Sequence, residues 1–265
     1  MKIATFNVNS INARIENLLA FLQKENPDIL LLQEIKTEFD NFPFFELKSA
    51  GYDAKILGQK SYNGVAVLSP HKIEVTQENL PDFADDNARY LEAKINVRGQ
   101  SWRVASIYLP NGNPPYNNPD DNSKFVYKLN FMDALYKHMK QILNLHENFI
   151  IGGDFNVIFS DFDVYNAELF RNNALCREEV REKFASLQYL GLYDAFRVLH
   201  KNDNGYTYWD YAGGAFAADL GMRIDYLLLS PLATDKLQSC AVDKKPRAMA
   251  KPSDHTPLIA EFEEL

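Results

Sequence analysis

Residues 91–109 read LEAKINVRGQSWRVASIYL. Leu91, Ala93, Ile95 and Val97 alternate with Glu92, Lys94 and Asn96, the period of a strand with one face buried. Arg98-Gly99-Gln100 interrupts the pattern, and Trp102–Leu109 resumes it, so the segment predicts a hairpin. On the N-terminal side, Ile3–Phe6, Ile29–Leu32 and Val65–Leu68 are short apolar runs. The second is continuous, as in a strand buried on both faces. Ser10 is expected to cap a helix whose apolar face is Ile11, Ile15, Leu18, Leu19 and Leu22, with Asn26-Pro27 stopping it. On the C-terminal side, Phe125, Leu129, Met132, Leu135, Met139 and Ile142 mark a long amphipathic helix. Phe149–Ile151 reads as a strand ending in Gly152-Gly153, Val180, Phe184 and Leu187 as another helix, and Ile224–Leu229 and Leu258–Phe262 as late strands. Hairpins mixed with helices point to an α/β fold of two sheets packed face to face, helices outside.

The 265 residues are 46% hydrophobic and 24% charged, enough apolar material for a real core and too much for disorder. There is no fixed-period repeat and no linker-like segment, so one domain over residues 1–265 is expected. Two cysteines, Cys176 and Cys240, exclude a disulfide scaffold and suggest a reducing compartment. The opening MKIATFNVNS has no long apolar stretch and no run reaches membrane-span length, so a soluble cytoplasmic protein is expected, with no membrane partner. The net charge of −8 weighs weakly against nucleic acid. Local clusters escape that sum, and a carboxylate metal site counts as negative until loaded.

The acids and amides at strand ends are more telling. Asn7 follows the first strand, Glu34 the second, and Asp154 and Asn156 follow the run IIGG. Asp225 lies in RIDYLLLS, and Asp254-His255 precede the last strand. Taken singly, each has a bland explanation: a solvated turn glutamate, a turn-forming Asp or Asn after two glycines, a satisfied histidine. Strand ends converge on one edge of a sheet, however, so these groups can meet. Such oxygen ligands suit Mg²⁺ or Mn²⁺. Phosphate-ester hydrolysis needs a metal, a base for water and donors to the phosphate, and the set holds a candidate for each.

NVNSI, PDILLLQEIK, YLPNG, GGDFNV, GMRIDYLLLS and KPSDHTP occur in this order over almost the whole chain. The sequence thereby resembles the exonuclease III class of apurinic/apyrimidinic endonucleases, in the endonuclease/exonuclease/phosphatase superfamily that also contains DNase I. The resemblance implies a four-layer sandwich of two mixed β-sheets flanked by helices, and a Mg²⁺-dependent enzyme with Mn²⁺ as substitute. It implies cleavage of double-stranded DNA 5′ to abasic sites, 3′→5′ exonuclease action and trimming of blocked 3′ ends, by a monomer. By matching position, Glu34 is the principal metal ligand with Asn7 beside it, and Asp254 a second ligand. Asp154, Asn156 and His255 are counted near the same metal. Asp154 orients or deprotonates the attacking water, Asn156 donates to the phosphate, His255 contacts the phosphate and Asp225 orients His255. Tyr108, otherwise an ordinary core tyrosine, is the active-site tyrosine of the YxPN motif that Asn111 closes.

For DNA, Lys244, Lys245, Arg247 and Lys251 lead into Ser253-Asp254-His255, and Lys124 and Lys128 stand a helical turn apart. Asp82, Asp85, Asp86 and the Glu261–Glu264 tail are expected to lie away from DNA. An extruded abasic sugar fits an apolar slot, which the resemblance lines with Tyr208, Met222 and Ile224. Tyr208 and Met222 depart from the family's usual Trp or Phe and Leu or Trp, and Pro114 stands near where some relatives carry an arginine. Trp209 reads as core. The loop Val157–Cys176 supplies Arg171 and Asn173 as candidate minor-groove contacts. Two other readings stand beside this one: a phosphoesterase for lipid or inositol phosphates, and a non-catalytic DNA-binding module.

Overall fold

The computed structural model describes residues 1–263. Its first sheet grows from the two N-terminal apolar runs. Lys2–Asn7 (β1) and Ile29–Gln33 (β2) pair in parallel, with Asn7 opposite Gln33. Numbered in chain order, Asp53–Leu57 (β3), Val65–Ser69 (β4), Leu237–Val242 (β11) and Leu258–Phe262 (β12) complete it in the order β11-β12-β1-β2-β4-β3. The second sheet contains Ile73–Glu78 (β5), Tyr90–Val97 (β6), Gln100–Tyr108 (β7), Asn148–Asp154 (β8), Tyr193–Asp194 (β9) and Asp225–Leu229 (β10), in the order β5-β6-β7-β8-β10-β9. The hairpin expected at 91–109 is the β6–β7 pair.

The helices are Ile15–Glu25 (α1), Phe44–Ser49 (α2), Ser123–Leu143 (α3), Ala167–Phe170 (α4), Glu178–Tyr189 (α5), Ala195–Leu199 (α6) and Pro231–Thr234 (α7). Three apolar clusters make four layers. Leu18, Phe21, Leu22 and Leu47 of α1 and α2 pack on Phe6, Leu30 and Leu32. Ile3, Leu31 and Val67 meet Val104, Ile150 and Leu227 between the sheets. Leu135 and Met139 of α3 and Phe184 of α5 cover the outer face of the second sheet at Ile107, Ile151 and Tyr226. This is the four-layer sandwich that the resemblance implied. Among the described residues no helix is long and apolar enough to cross a membrane.

Two sequence expectations shift. Ser10 does not cap α1: it has φ 84°, its N–H donates to Glu34 O at 2.7 Å, and the helix begins at Ile15. β8 does not end at the glycines but runs through them to Asp154. A Cβ on Gly153 would lie 1.9 Å from Ile107 O, and one on Gly152 would lie 2.8 Å from Leu31 Cδ1 of the facing sheet. The glycines are the residues that let the neighbouring chain and the opposite sheet approach this closely.

Candidate active site

Register brings the predicted residues together. Tyr108 on β7 pairs with Asp154 on β8, and Asp154 pairs with Asp225 on β10, so the three form one row across the second sheet. Asn7 closes β1 in the facing sheet. Glu34 follows β2 in a left-handed turn, φ 50°, which costs a residue with a side chain about 1 kcal/mol or more. Ile35 N donating to Gly64 O at 3.2 Å and the Ser10 bond hold that turn. Ser253 Oγ donates to Asn7 O at 2.7 Å, which pins the Asp254-His255 loop to β1.

The side chains form a continuous chain. Asn7 Nδ2 donates to Glu34 Oε1 at 2.7 Å and to Asp154 Oδ2 at 3.0 Å. Asp154 Oδ1 accepts from Asn156 N at 2.9 Å, and Asp154 Oδ2 lies 3.7 Å from His255 Nε2. His255 Nδ1 meets Asp225 Oδ2 at 2.8 Å. Asn156 Nδ2 donates to Leu109 O at 2.9 Å, and Asn156 Oδ1 accepts from Asn111 Nδ2 at 3.2 Å.

Electrostatics follow from burial. Burial lifts the Asp154 carboxyl, Asp225 and Glu34 add to the lift, and His255 opposes it; the result is about 8. Burial works to lower the His255 imidazole, but the charges of Asp225 and Asp154 and the Asp225 hydrogen bond outweigh it, lifting it to about 10. Glu34 is opposed by burial yet held below the ordinary carboxylate value by Lys36 and Asn7. Burial also raises the Tyr108 phenol well above its ordinary value, reinforced by Glu34 and Asp154. Glu34, Asp154 and His255 each offer a ligand atom within 4.8 Å of the others. Half-buried Glu34 and buried Asp154 are hard oxygen donors set close enough that Glu34 helps to raise the Asp154 carboxyl, a repulsion that a hard divalent cation between them would relieve.

A cavity of about 380 Å³ opens over this chain, with Glu34, Tyr108, Asp154, Asp254 and His255 on its polar side. Asn111, Asn156 and Asn173 also line it, as do Tyr208, Met222 and Ile224, the expected slot residues. Tyr208 sets its ring edge-on to His255, 5.0 Å between centroids. A larger cleft of about 820 Å³, near His200, Asp203 and Cys240, takes in Lys244 of the expected cation run, paired there with Asp219, and none of the strand-end acids and amides. Trp209 is core, as expected.

Several expected cations are placed otherwise. Lys128 is completely buried, with burial pulling its ammonium down to about 7 against the Asp154 charge, and cannot meet DNA. Arg247 is buried too, donating to Trp209 O at 3.1 Å, because it packs under the 209–216 segment. Lys124 and Lys251 are exposed but do not line the cavity. Arg171 is exposed and paired with Glu168. Asp82, Asp85, Asp86 and Glu261 are outside the cavity lining; Glu264 lies outside the described residues.

Sequence reasoning missed Lys36 and Asn9. Lys36 Nζ is 2.7 Å from Glu34 Oε2 and donates to Asn9 Oδ1, while Asn9 Nδ2 donates to Asp254 Oδ1 at 3.0 Å. The available signal was Lys36 itself, two residues from Glu34 in QEIK. The cavity's apolar side also includes Phe170 and Leu175. Behind it, fully buried Arg223 donates to Asp163 Oδ1 and Asp194 Oδ2, both at 2.7 Å, tying the 157–176 loop to the start of β10.

Residues 4–255 match the sequence profile of the endonuclease/exonuclease/phosphatase family. The chain is 31% identical to exodeoxyribonuclease III of Haemophilus influenzae over 99% of this chain and 100% of that protein. Two solved structures superpose over 100% of both chains with TM-scores of 0.92. One is a 3′ phosphatase, NExo, from Neisseria bound to product DNA hairpin, 35% identical; the other is an AP endonuclease from Archaeoglobus fulgidus, 34% identical.

Proposed function

The chain belongs to the endonuclease/exonuclease/phosphatase family, and on that premise we propose how it works as a DNA-repair phosphodiesterase. It is a hydrolytic nuclease of the exodeoxyribonuclease III and AP endonuclease kind. Its finer activities, in our reading, are cleavage 5′ to abasic sites, removal of 3′ blocks and 3′→5′ degradation of duplex DNA, all at one site. The observation that carries this is the continuous Glu34–Asn7–Asp154–His255–Asp225 chain of polar side chains, of which Glu34, Asp154 and His255 line one cavity.

Glu34 and Asp154, with Asn7 beside them, would hold Mg²⁺, or Mn²⁺ in its place. When bound, such an ion neutralises charge on the phosphate. The chain's own residues do the rest. Asp154 accepts hydrogen bonds from Asn7 and Asn156, which aim its carboxylate at a water on the open side. With a cation held beside it that carboxylate would stay ionised and able to take the water's proton. His255 has Nδ1 committed to Asp225, so Nε2–H is left to donate to a phosphate oxygen as a cation. A protonated imidazole has no lone pair for a metal, so we assign His255 the donor role. Asn156 keeps one amide hydrogen for the phosphate beside its bond to Leu109 O. Tyr108, kept protonated by its surroundings, supplies a further O–H. Asp254 is engaged by Asn9 and serves as an outlying carboxylate or second ligand.

Tyr208, Met222 and Ile224 would take the extruded sugar, with Asn111 and Asn173 at the rim and Lys124, Arg171 and Lys251 reaching phosphates farther along the duplex. We read the molecule as one catalytic domain that works as a cytoplasmic monomer. The test is a comparison on three labelled duplexes: abasic, nicked with a 3′-phosphate, and undamaged with a recessed end. Metal-dependent turnover of the first two supports the reading. Turnover of a soluble phosphoester with none on any duplex would replace it with the lipid or inositol phosphate reading.

A further inference from the structure

Lys128, on α3, has no part in the chemistry described above, yet its side chain is fully buried. A buried ammonium is costly unless its donors are met. Its three donors go to backbone oxygens: Asn156 O at 2.6 Å, Asn111 O at 3.1 Å and Ala174 O at 3.1 Å. Each oxygen belongs to a different loop: the one after β7, the one after β8, and the one before α5. All three loops line the cavity, through Asn111, Asn156 and the pair Asn173 and Leu175.

The loops also touch one another around the ammonium. Asn113 Nδ2 donates to Asn173 Oδ1 at 3.3 Å, and Ala174 N donates to Asn113 Oδ1 at 3.0 Å. A Cβ on Gly112 would fall 2.7 Å from Lys128 Cδ and 3.3 Å from Ala174 Cβ, so the first loop rests directly on the lysine stem. We propose that Lys128 is a positioning residue for phosphodiester hydrolysis: its ammonium joins three loops at their backbones and thereby sets where the Asn156 amide stands relative to Asp154. The inference rests on the proposed reading of the site. It departs from the sequence expectation, in which Lys128 met DNA; here it never reaches the substrate and acts through Asn156.

The test compares wild type, Lys128→Met and Lys128→Gln on an abasic-analogue duplex and a 3′-phosphate nicked duplex in Mg²⁺, with kcat and KM measured separately. Glu92→Gln serves as a destabilised control, since Glu92 sits in a buried cluster with His138 and Arg103 remote from the cavity. Misplacing a reacting group by an ångström costs about 10²-fold. A folded Lys128 variant is expected to lose about that factor in kcat with KM changed by less than about threefold, while Glu92→Gln melts earlier and keeps its kcat. A folded variant with wild-type kcat, a loss confined to KM, an equal loss in Glu92→Gln, or failure of both Lys128 variants to fold would each overturn the proposal. No activity in the wild type itself would instead sink the phosphodiesterase reading.

Discussion

Replacing Asp225 by Asn isolates what its carboxylate does for His255. The amide oxygen can still accept from Nδ1, so the ring keeps its tautomer and place; only the charge 2.8 Å away is lost. In the wild type that charge is the largest influence raising the imidazole to about 10, against burial, which lowers it. A raised value means that the cation persists below it and is lost as pH rises through it. Without Asp225, burial opposes only the more distant help of Asp154 and Asp254, so the ring gives up its proton at lower pH. A neutral ring with Nδ1–H directed at the amide has no Nε2–H to offer the phosphate. Loss of one such donor is worth about 10²–10³ in kcat, or about 3–4 kcal/mol. The deficit should grow from mildly acidic to mildly alkaline pH. The assay pairs ¹⁵N NMR titration of His255 with kcat on an abasic duplex across that range. A variant whose His255 still titrates above about pH 9, or whose kcat stays within about threefold of wild type, would refute the reasoning.

Three further outcomes follow from the packing. Glu92 is almost wholly buried, and although burial raises it, His138, Tyr90, Thr76 and Arg103 hold it down at about 2 against 4.5 for a free side chain; that depression contributes about 3 kcal/mol above the unfolded value and is lost as pH falls toward 2. Urea melts of wild type and Glu92→Gln should therefore differ at neutral pH and converge in that acid window; a constant difference would show that Glu92 acts otherwise. Gly153→Ala should cost at least about 3 kcal/mol by the same melts, because the new Cβ meets Ile107 O at 1.9 Å; a neutral effect would mean β7 and β8 can separate. Arg223→Ala leaves Asp163 and Asp194 without their shared partner and should cost about 3–5 kcal/mol, with hydrogen exchange rising first in the 157–176 loop; protection unchanged there would contradict the tie.

The sequence disclosed the inner strands and hid the outer ones, for one physical reason. β1, β2, β4, β6, β7, β8, β10 and β12 have a strand on either side, and their apolar runs or alternation are plain. β3 (DAKIL), β5 (IEVTQE), β9 (YD) and β11 (LQSCAV) are the four sheet edges, partly exposed and polar in pattern, and none was read as a strand. The site was legible because its acids and amides stand where strands stop, and strand order does the gathering. Lys128 and Arg247 were misjudged since a lysine or arginine in a sequence carries no mark of burial. What buries them is a set of backbone carbonyls from loops far apart in the chain, here 111, 156 and 174 around Lys128. Glu92 likewise sat in a polar phase of its strand, and α3 covers that face, so the polar phase became an internal ion network.

The most direct measurement is Mn²⁺ binding followed by electron paramagnetic resonance, in wild type and in Glu34→Gln, with cleavage of an abasic duplex recorded on the same samples. The account predicts a tight site in the wild type that is lost in the variant together with cleavage, and a melt that shows the variant folded. Equal Mn²⁺ binding in both proteins, or cleavage at the wild-type rate by the variant, would contradict it.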